Sequence, residues 1–399
     1  MSAIGGIINL KRGSVDFSSF YNIRNSLILR GRESSTAYLD LGVAMLYCSD
    51  GSADIDLPMV DERRGYITVL TYDADILESA ALLEKYRIHG VDFITMLSEP
   101  FALALYDGER RMLMLARDKK GRKPLYYSAR AGKIYFSSEA KGILSLSSSS
   151  NINTKALSEH LTSPFGIYGA SDIYPDVCEV RKGECVLFTE LGISRFFYRE
   201  NTQKRRSNSN GKNKTRPIKP FAIINRDLVL SSLNDSLVAF DIPQFDAHIP
   251  KISQTLLKAK KSKLRSVVLE DPIKLWHIDY SLNREDRLGA FYGVKYTGVP
   301  ERLDEHTRGL RSVENNDLFC LLREEFFLCK NENKDLLSII FGARKLSAIL
   351  SAIEKRQQKN EDTEYMIRIL GMLLQTFEWS KLRKLDFISD ERKIYSYMD

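Results

Sequence analysis

The sequence predicts an α+β protein of two domains, on three observations. Its 399 residues fit two domains at roughly 100–200 residues each. Residues 101–137 hold four strand-like runs in close succession, Phe101–Tyr106, Met112–Ala116, Leu125–Ser128 and Lys133–Ser137, separated by short turns at Asp107-Gly108 and near Gly132. That spacing favours antiparallel hairpins. Beyond residue 220 the apolar residues change to helical spacing.

Taken in order, Ala3–Asn9 is a short apolar run and reads as a strand. Phe17–Arg30 has helical spacing through Phe20, Ile23, Leu27 and Leu29, and Asp75–Arg87 through Ile76, Leu77, Ala80, Leu83 and Tyr86. After the hairpins, Ser147–Ser150 is a polar break, and Thr154–Thr162 reads as a short helix capped by Thr154. Further on, Leu336, Ile340, Ala343, Leu346, Leu350 and Ile353 make one helical stripe, and Met366, Ile369, Leu373 and Phe377 another. Both read as helices packing into a core.

Hydrophobic residues make up 43% and charged residues 28%, which excludes a wholly disordered, collagen-like or disulfide-scaffold chain. No run approaches the roughly 18 apolar residues of a membrane span, so no membrane association is expected. The start, MSAIGGIINLKRG, lacks a basic opening and an apolar core of signal length, so no export signal is read there. Five cysteines without a CxxC pair, and five scattered histidines, point to neither a disulfide framework nor a metal centre, and a reducing cytoplasmic setting is the default. The net charge of +7 is carried wholly by residues 201–220, which hold Lys204, Arg205, Arg206, Lys212, Lys214, Arg216 and Lys219 and no acid. The Ser, Asn, Gly and Pro among them suit a solvated linker, the alternative being a basic interaction segment; a nucleic-acid partner is not expected.

The run Arg117-Asp118-Lys119-Lys120-Gly121-Arg122-Lys123-Pro124-Leu125-Tyr126-Tyr127 resembles the RDxxGxKPLYY motif of glutamine-dependent asparagine synthetases. Ile134–Leu144 resembles the same family's LxFASExKALL, Phe101–Asp107 its FAFALYD, Arg30–Ser35 its RGPDxxG, and Arg181–Leu187 its PPGHxLxV. The matches fall in the family's order over about residues 1–200. The resemblance implies an N-terminal class II glutamine amidotransferase domain at 1–200, an αββα sandwich of Ntn-hydrolase type, then the basic linker at 201–220. It further implies a reduced, mainly helical α/β synthetase-like domain at 221–399.

In such a domain the nucleophile is an N-terminal residue freed by removal of the initiator Met, whose α-amine serves as base. The family's MCGI is Met1-Ser2-Ala3-Ile4 here, so Ser2 stands at the nucleophile position; the plain reading is a small residue at a strand edge. The family's oxyanion segment NGEIYN should follow Gly65–Leu70, but the chain runs on as Thr71-Tyr72-Asp73-Ala74-Asp75-Ile76-Leu77, which resembles its later SDTEVIL element. One missing oxyanion donor costs about 2.7–4 kcal/mol. Asp73 matches the family's substrate-binding Asp, and its plain reading is an N-cap for the helix at Asp75–Arg87. The family's substrate-binding Arg falls near Met45–Ser49, which has none.

The synthetase's phosphate loop SGGxDS has its nearest match at Leu230–Ser236, where Ser231, Asp235 and Ser236 fit and both glycines are missing. An amphipathic helix with Leu230, Leu233 and Leu237 inward and Asn225 near its cap is the competing reading. Leu264–Glu270 resembles the strand before the family's SGEGADE, but Asp271-Pro272 replaces its glycine turn. The expectation is an asparagine-synthetase-family protein with degenerate glutaminase and ATP-pyrophosphatase centres, acting in binding or regulation with no certain cofactor. Its expected partner is an active synthetase relative or a second copy, with glutamine or asparagine as ligand. The alternative is an active glutamine-hydrolysing synthetase or related amide ligase using Ser2, which would need ATP and magnesium.

Overall fold

The computed structural model describes residues 2–11, 13–31, 33–49, 51, 57–74, 79–97, 99–147, 150–162, 169–198, 226–239, 241, 243, 256–257, 260–261, 266–267, 295–296, 312–355, 363–383 and 385–388. The linker expected at 201–220 lies outside them. The described chain divides into two compact units. The first takes residues from 2–146 and 177–198; the second takes 147–176 and the described residues from 226 on. The segment 147–176 therefore groups with the C-terminal part and not with the hairpins before it.

The first unit is built on two six-stranded sheets. One joins β1 (Ala3–Asn9), β2 (Ser34–Leu39), β3 (Val43–Ser49), β8 (Tyr126–Arg130), β9 (Lys133–Ser137) and β11 (Cys178–Glu179), in the order β11-β8-β9-β1-β3-β2. The other joins β4 (Met59–Arg63), β5 (Tyr66–Ala74), β6 (Phe101–Asp107), β7 (Met112–Arg117), β12 (Glu184–Thr189) and β13 (Gly192–Phe197), in the order β13-β12-β7-β6-β5-β4. Every pairing in both is antiparallel. The four expected hairpin strands are all present, within one or two residues of their expected ends.

Period-2 alternation explains the layering. Ile4 and Ile8 of β1 and Val43, Met45 and Tyr47 of β3 join the large core shared with β5, β6 and β7. Ala3, Ile7, Ala44, Leu46 and Cys48 point the other way, onto Phe20, Ile23 and Leu27. Phe20 and Ile23 belong to α1 (Phe17–Ser26), which lies over this outer face with the short α3 (Ala140–Leu144). Leu82, Leu83 and Tyr86 of α2 (Ser79–His89) cover the second sheet, and Tyr86 Oη donates to Asp107 Oδ2 at 2.6 Å. The result is the helix–sheet–sheet–helix sandwich that the resemblance implied.

The second unit is mainly helical, as expected. It holds α4 (Thr154–Thr162), α5 (Ala170–Ile173), α6 (Arg226–Ala239), α7 (Ser312–Cys329), α8 (Lys334–Lys355) and α9 (Thr363–Arg383). β10 (Ser150–Asn153) pairs in parallel with β16 (Leu385–Ile388), and the two-residue β14 (Ser266–Val267) with β15 (Lys295–Tyr296). Met366, Ile369, Leu373 and Phe377 are buried, and the Phe377 ring stacks on Phe326 with centroids 5.9 Å apart.

Four local expectations change. α1 ends at Ser26, four residues early, in a turn. The cap of α4 is Asn153 and not Thr154: Asn153 Oδ1 accepts from Ala156 N at 3.1 Å, while Thr154 is already helical. Asp73 is not an N-cap either. It lies in β5, opposite Ala102 of β6, and its Oδ1 accepts from Ser2 Oγ. The stripe from Leu336 to Ile353 bends at Gly342, whose φ of 69° breaks the helix. Among the described residues no single helix is long and apolar enough to cross a membrane.

Candidate functional site

Ser2 sits just before β1 and shares the orientation of Ile4 and Ile8, toward the layer between the sheets. From the facing sheet, Thr71 Oγ1 donates to Leu46 O at 3.3 Å, so Thr71 and Asp73 of β5 point into the same layer. The two elements bring Ser2 and Asp73 together: Ser2 Oγ donates to Asp73 Oδ1 at 2.7 Å. Asp73 is wholly buried and Ser2 is 8% exposed.

A bare carboxylate is costly in such a layer, and its partners answer that cost. Lys123 Nζ lies 3.2 Å from Asp73 Oδ1, and Arg30 Nη1 lies 3.9 Å from Oδ2. Arg30 also donates from Nη1 to Ser2 O at 3.5 Å and from Nε to Glu139 Oε1 at 2.6 Å. Glu139 Oε2 in turn faces Lys141 Nζ at 2.5 Å. All five charged side chains are nearly buried. Tyr47 of β3 adds a phenol beside Ser2 and Ser49, and burial pushes its ionisation up. The strand start is fixed by Ser138, whose Oγ accepts from Ile4 N at 2.9 Å and whose N donates to Ile4 O at 2.8 Å.

Arg30, Lys123, Glu139 and Lys141 all lie inside the motif runs quoted above, yet the runs did not reveal what they touch. The available signal was polar residues held among buried strands. Lys123 is delivered by the 118–124 turn between β7 and β8. Asp118 carboxylate oxygens accept from Lys120 N at 2.9 Å and Arg122 N at 3.1 Å, and Gly121 adopts a φ of 66° that favours glycine.

The sequence-read nucleotide residues lie elsewhere, in the second unit. Ser231, Asp235 and Ser236 are all inside α6, with Ser231 Oγ 3.5 Å from Asp235 Oδ2, and Leu233 is buried as the helix reading expects. In a helix interior the backbone N–H groups are already bonded to carbonyls four residues back, so this segment does not fit a phosphate-cradling loop.

Chemically, the Ser2 site joins a hydroxyl, a carboxylate and a phenol with cations around them. The hydroxyl's one proton is directed at the carboxylate.

Residues 71–199 match the family model of the glutamine amidotransferase domain. An asparagine synthetase [glutamine-hydrolyzing] of Bacillus subtilis is 27% identical over 147 residues, 36% of this chain and 23% of that protein. The amidase chyE of Penicillium rubens is 40% identical over 63 residues, 16% of this chain and 9% of that protein. The amidase chry2 of Gibberella zeae is 29% identical over 133 residues, 29% of this chain and 20% of that protein. The chain thus spans less than a quarter of the length of these relatives. Among solved structures, a glutamine phosphoribosylpyrophosphate amidotransferase from B. subtilis, complexed with ADP and GMP, aligns with a TM-score of 0.35 at 12% identity, over 74% of this chain and 65% of that one.

Proposed function

Taking as premise that the first unit is class II glutamine amidotransferase-like, of the asparagine synthetase kind, we propose that it is a non-catalytic homologue serving in binding or regulation. The observation that carries this reading is the bond between Ser2 Oγ and Asp73 Oδ1. Attack by Ser2 on an amide would build negative charge beside the hydroxyl, where catalysis needs hydrogen-bond donors. The hydroxyl's hydrogen-bond partner here is a carboxylate, an acceptor that opposes such charge and offsets the Lys123 ammonium held on the same oxygen. Asp73, the position matched to the substrate-binding Asp, is wholly buried and already engaged by Ser2 and Lys123.

On this reading the partner is an active synthetase relative or a second copy of the chain, and the ligand is glutamine or asparagine. The setting is cytoplasmic. The second reading is amide hydrolysis by Ser2, favoured by the same 2.7 Å contact seen as activation and by the segments shared with two fungal amidases. The ligase form of that alternative would add ATP and magnesium.

The test is glutamate release from glutamine by the full chain, with the N-terminus defined by mass spectrometry, for wild type, Ser2→Cys and Ser2→Ala. The expected result is no release above buffer in all three, and no pyrophosphate release from ATP with aspartate. Turnover by wild type that disappears in Ser2→Ala would establish the hydrolase instead.

A further inference from the structure

The strongest unassigned feature is the turn that brings Lys123 to the buried carboxylate. Lys123 is a long, flexible side chain in the segment joining β7 to β8, and its ammonium must be aimed from there at Asp73 of β5. The turn is held at both ends: Asp118 N donates to Phe101 O at 2.9 Å, Gly183 N to Asp118 O at 3.0 Å, and Val180 N to Leu125 O at 2.9 Å. Its middle is held by two side chains, the Asp118 carboxylate on Lys120 N and Arg122 N and the guanidinium of Arg117. Arg117, 6% exposed, donates from Nη2 to Gly121 O at 2.6 Å, and from Nη1 to Glu179 Oε1 at 2.6 Å and Val180 O at 3.0 Å. The planar guanidinium makes three directed bonds at once, a pattern that the single ammonium of lysine does not reproduce.

We propose that Arg117 is a positioning residue for the Ser2 site, acting through Lys123: it clamps the 118–124 turn in the geometry that delivers the lysine ammonium to Asp73. The clamp and the delivered charge are separate. Arg117 bonds the turn and the strand beyond it, whereas Lys123 alone carries charge from this turn to Asp73. The contacts of Ser2 and Lys123 share Asp73 Oδ1, which puts the ammonium within about 6 Å of the Ser2 hydroxyl, inside the range of unscreened charge effects. The inference concerns the site named under the proposed function but does not depend on its inactivity.

The experiment uses Ser2→Cys in the full chain as a reporter. Alkylation of residue 2 by iodoacetamide is followed from pH 6 to pH 10, and peptide mass spectrometry separates it from the native cysteines. The thiol would sense Asp73 from β5, Lys123 from the turn, Arg30 from behind α1 with Glu139 and Lys141 beyond it, and the Tyr47 phenol from β3. Removing a nearby cation disfavours the thiolate, so Lys123→Met should cut labelling at pH 7 about threefold to tenfold. Arg117→Lys should move the pH profile in the same direction with the fold retained. It should add nothing in the Lys123→Met background. A profile unmoved by Arg117→Lys, or an equal further shift in the double variant, would overturn the proposal. Should Arg117→Lys not fold, Glu179→Gln, which weakens one arm of the clamp, replaces it with the same expected and overturning outcomes. Glutamine turnover would sink the non-catalytic reading and leave this one standing; an unmoved thiol profile would do the reverse.

Discussion

Ser2 and Asp73 meet from opposite sheets, 71 residues apart, through a 2.7 Å bond from hydroxyl to carboxylate. The contact ties the start of β1 to the end of β5 across the inter-sheet layer. It also makes Asp73 the centre of a buried charge network, because Lys123 and Arg30 converge on the same carboxylate.

A stability prediction follows from that geometry. Asp73→Ala removes the common partner and takes the buried carboxylate away from the Lys123 ammonium, while Arg30 keeps Glu139. Breaking one side of a buried pair costs about 3–5 kcal/mol. Asp73→Asn keeps an acceptor for Ser2 but loses the charge, and should fall between Asp73→Ala and wild type. Thermal unfolding of the full chain, followed by circular dichroism, should give the order wild type, Asn, Ala. An Ala variant as stable as wild type would mean that the network does not hold the sandwich.

The strands of this sandwich were legible because alternation and short turns are local signals. Phe101–Ser137 carries both, and each strand appears where the pattern puts it. The site was legible only in part. Ser2 and Asp73 were singled out, but the partner of each was not, since a contact across the layer leaves no periodic mark. Asp73 read as an N-cap because an acidic residue precedes a helical pattern, whereas pairing with β6 extends β5 through Ala74. Gly342 lies within a continuous apolar stripe, and only its positive φ shows the bend. Asn153 and Thr154 are adjacent cap formers, and the choice between them rests on one bond to Ala156 N.

Two glycines test how closely the first unit is packed. A Cβ on Gly31 would lie 2.2 Å from Cys48 Cβ and 2.5 Å from Cys48 C, against a buried strand that cannot withdraw. Gly31→Ala should therefore destabilise through overpacking by about 1–3 kcal/mol or more. Gly65 has a φ of 76° in the β4–β5 turn, with nothing within 4 Å of its Cβ position. Gly65→Asn should cost much less, since asparagine tolerates that backbone region and meets no neighbour. Thermal shifts of the two variants, measured side by side, check the contrast; equal losses would contradict it.

Asp16 supplies a pH-dependent prediction. It caps α1, accepting from Ser18 N at 3.1 Å and Ser19 N at 3.0 Å, with both serine hydroxyls also donating to it. These bonds favour the charged form, the Ser19 hydroxyl most, and lower the carboxyl to about 2. An unfolded aspartate titrates near 3.9, so between those values the unfolded chain binds more protons. The ionic part of the cap is thus complete above about pH 4 and is lost as pH falls toward 2. Asp16→Ala at pH 7 should cost about 0.5–2 kcal/mol through loss of the cap. Asp16→Asn keeps an uncharged cap, so its gap from wild type should be small at an exposed site, shrink with added salt, and narrow from pH 5 to pH 3. Urea midpoints of the three proteins at those pH values read the effect. A gap between wild type and Asn that stays constant with pH would show that charge on Asp16 adds nothing to its hydrogen bonds.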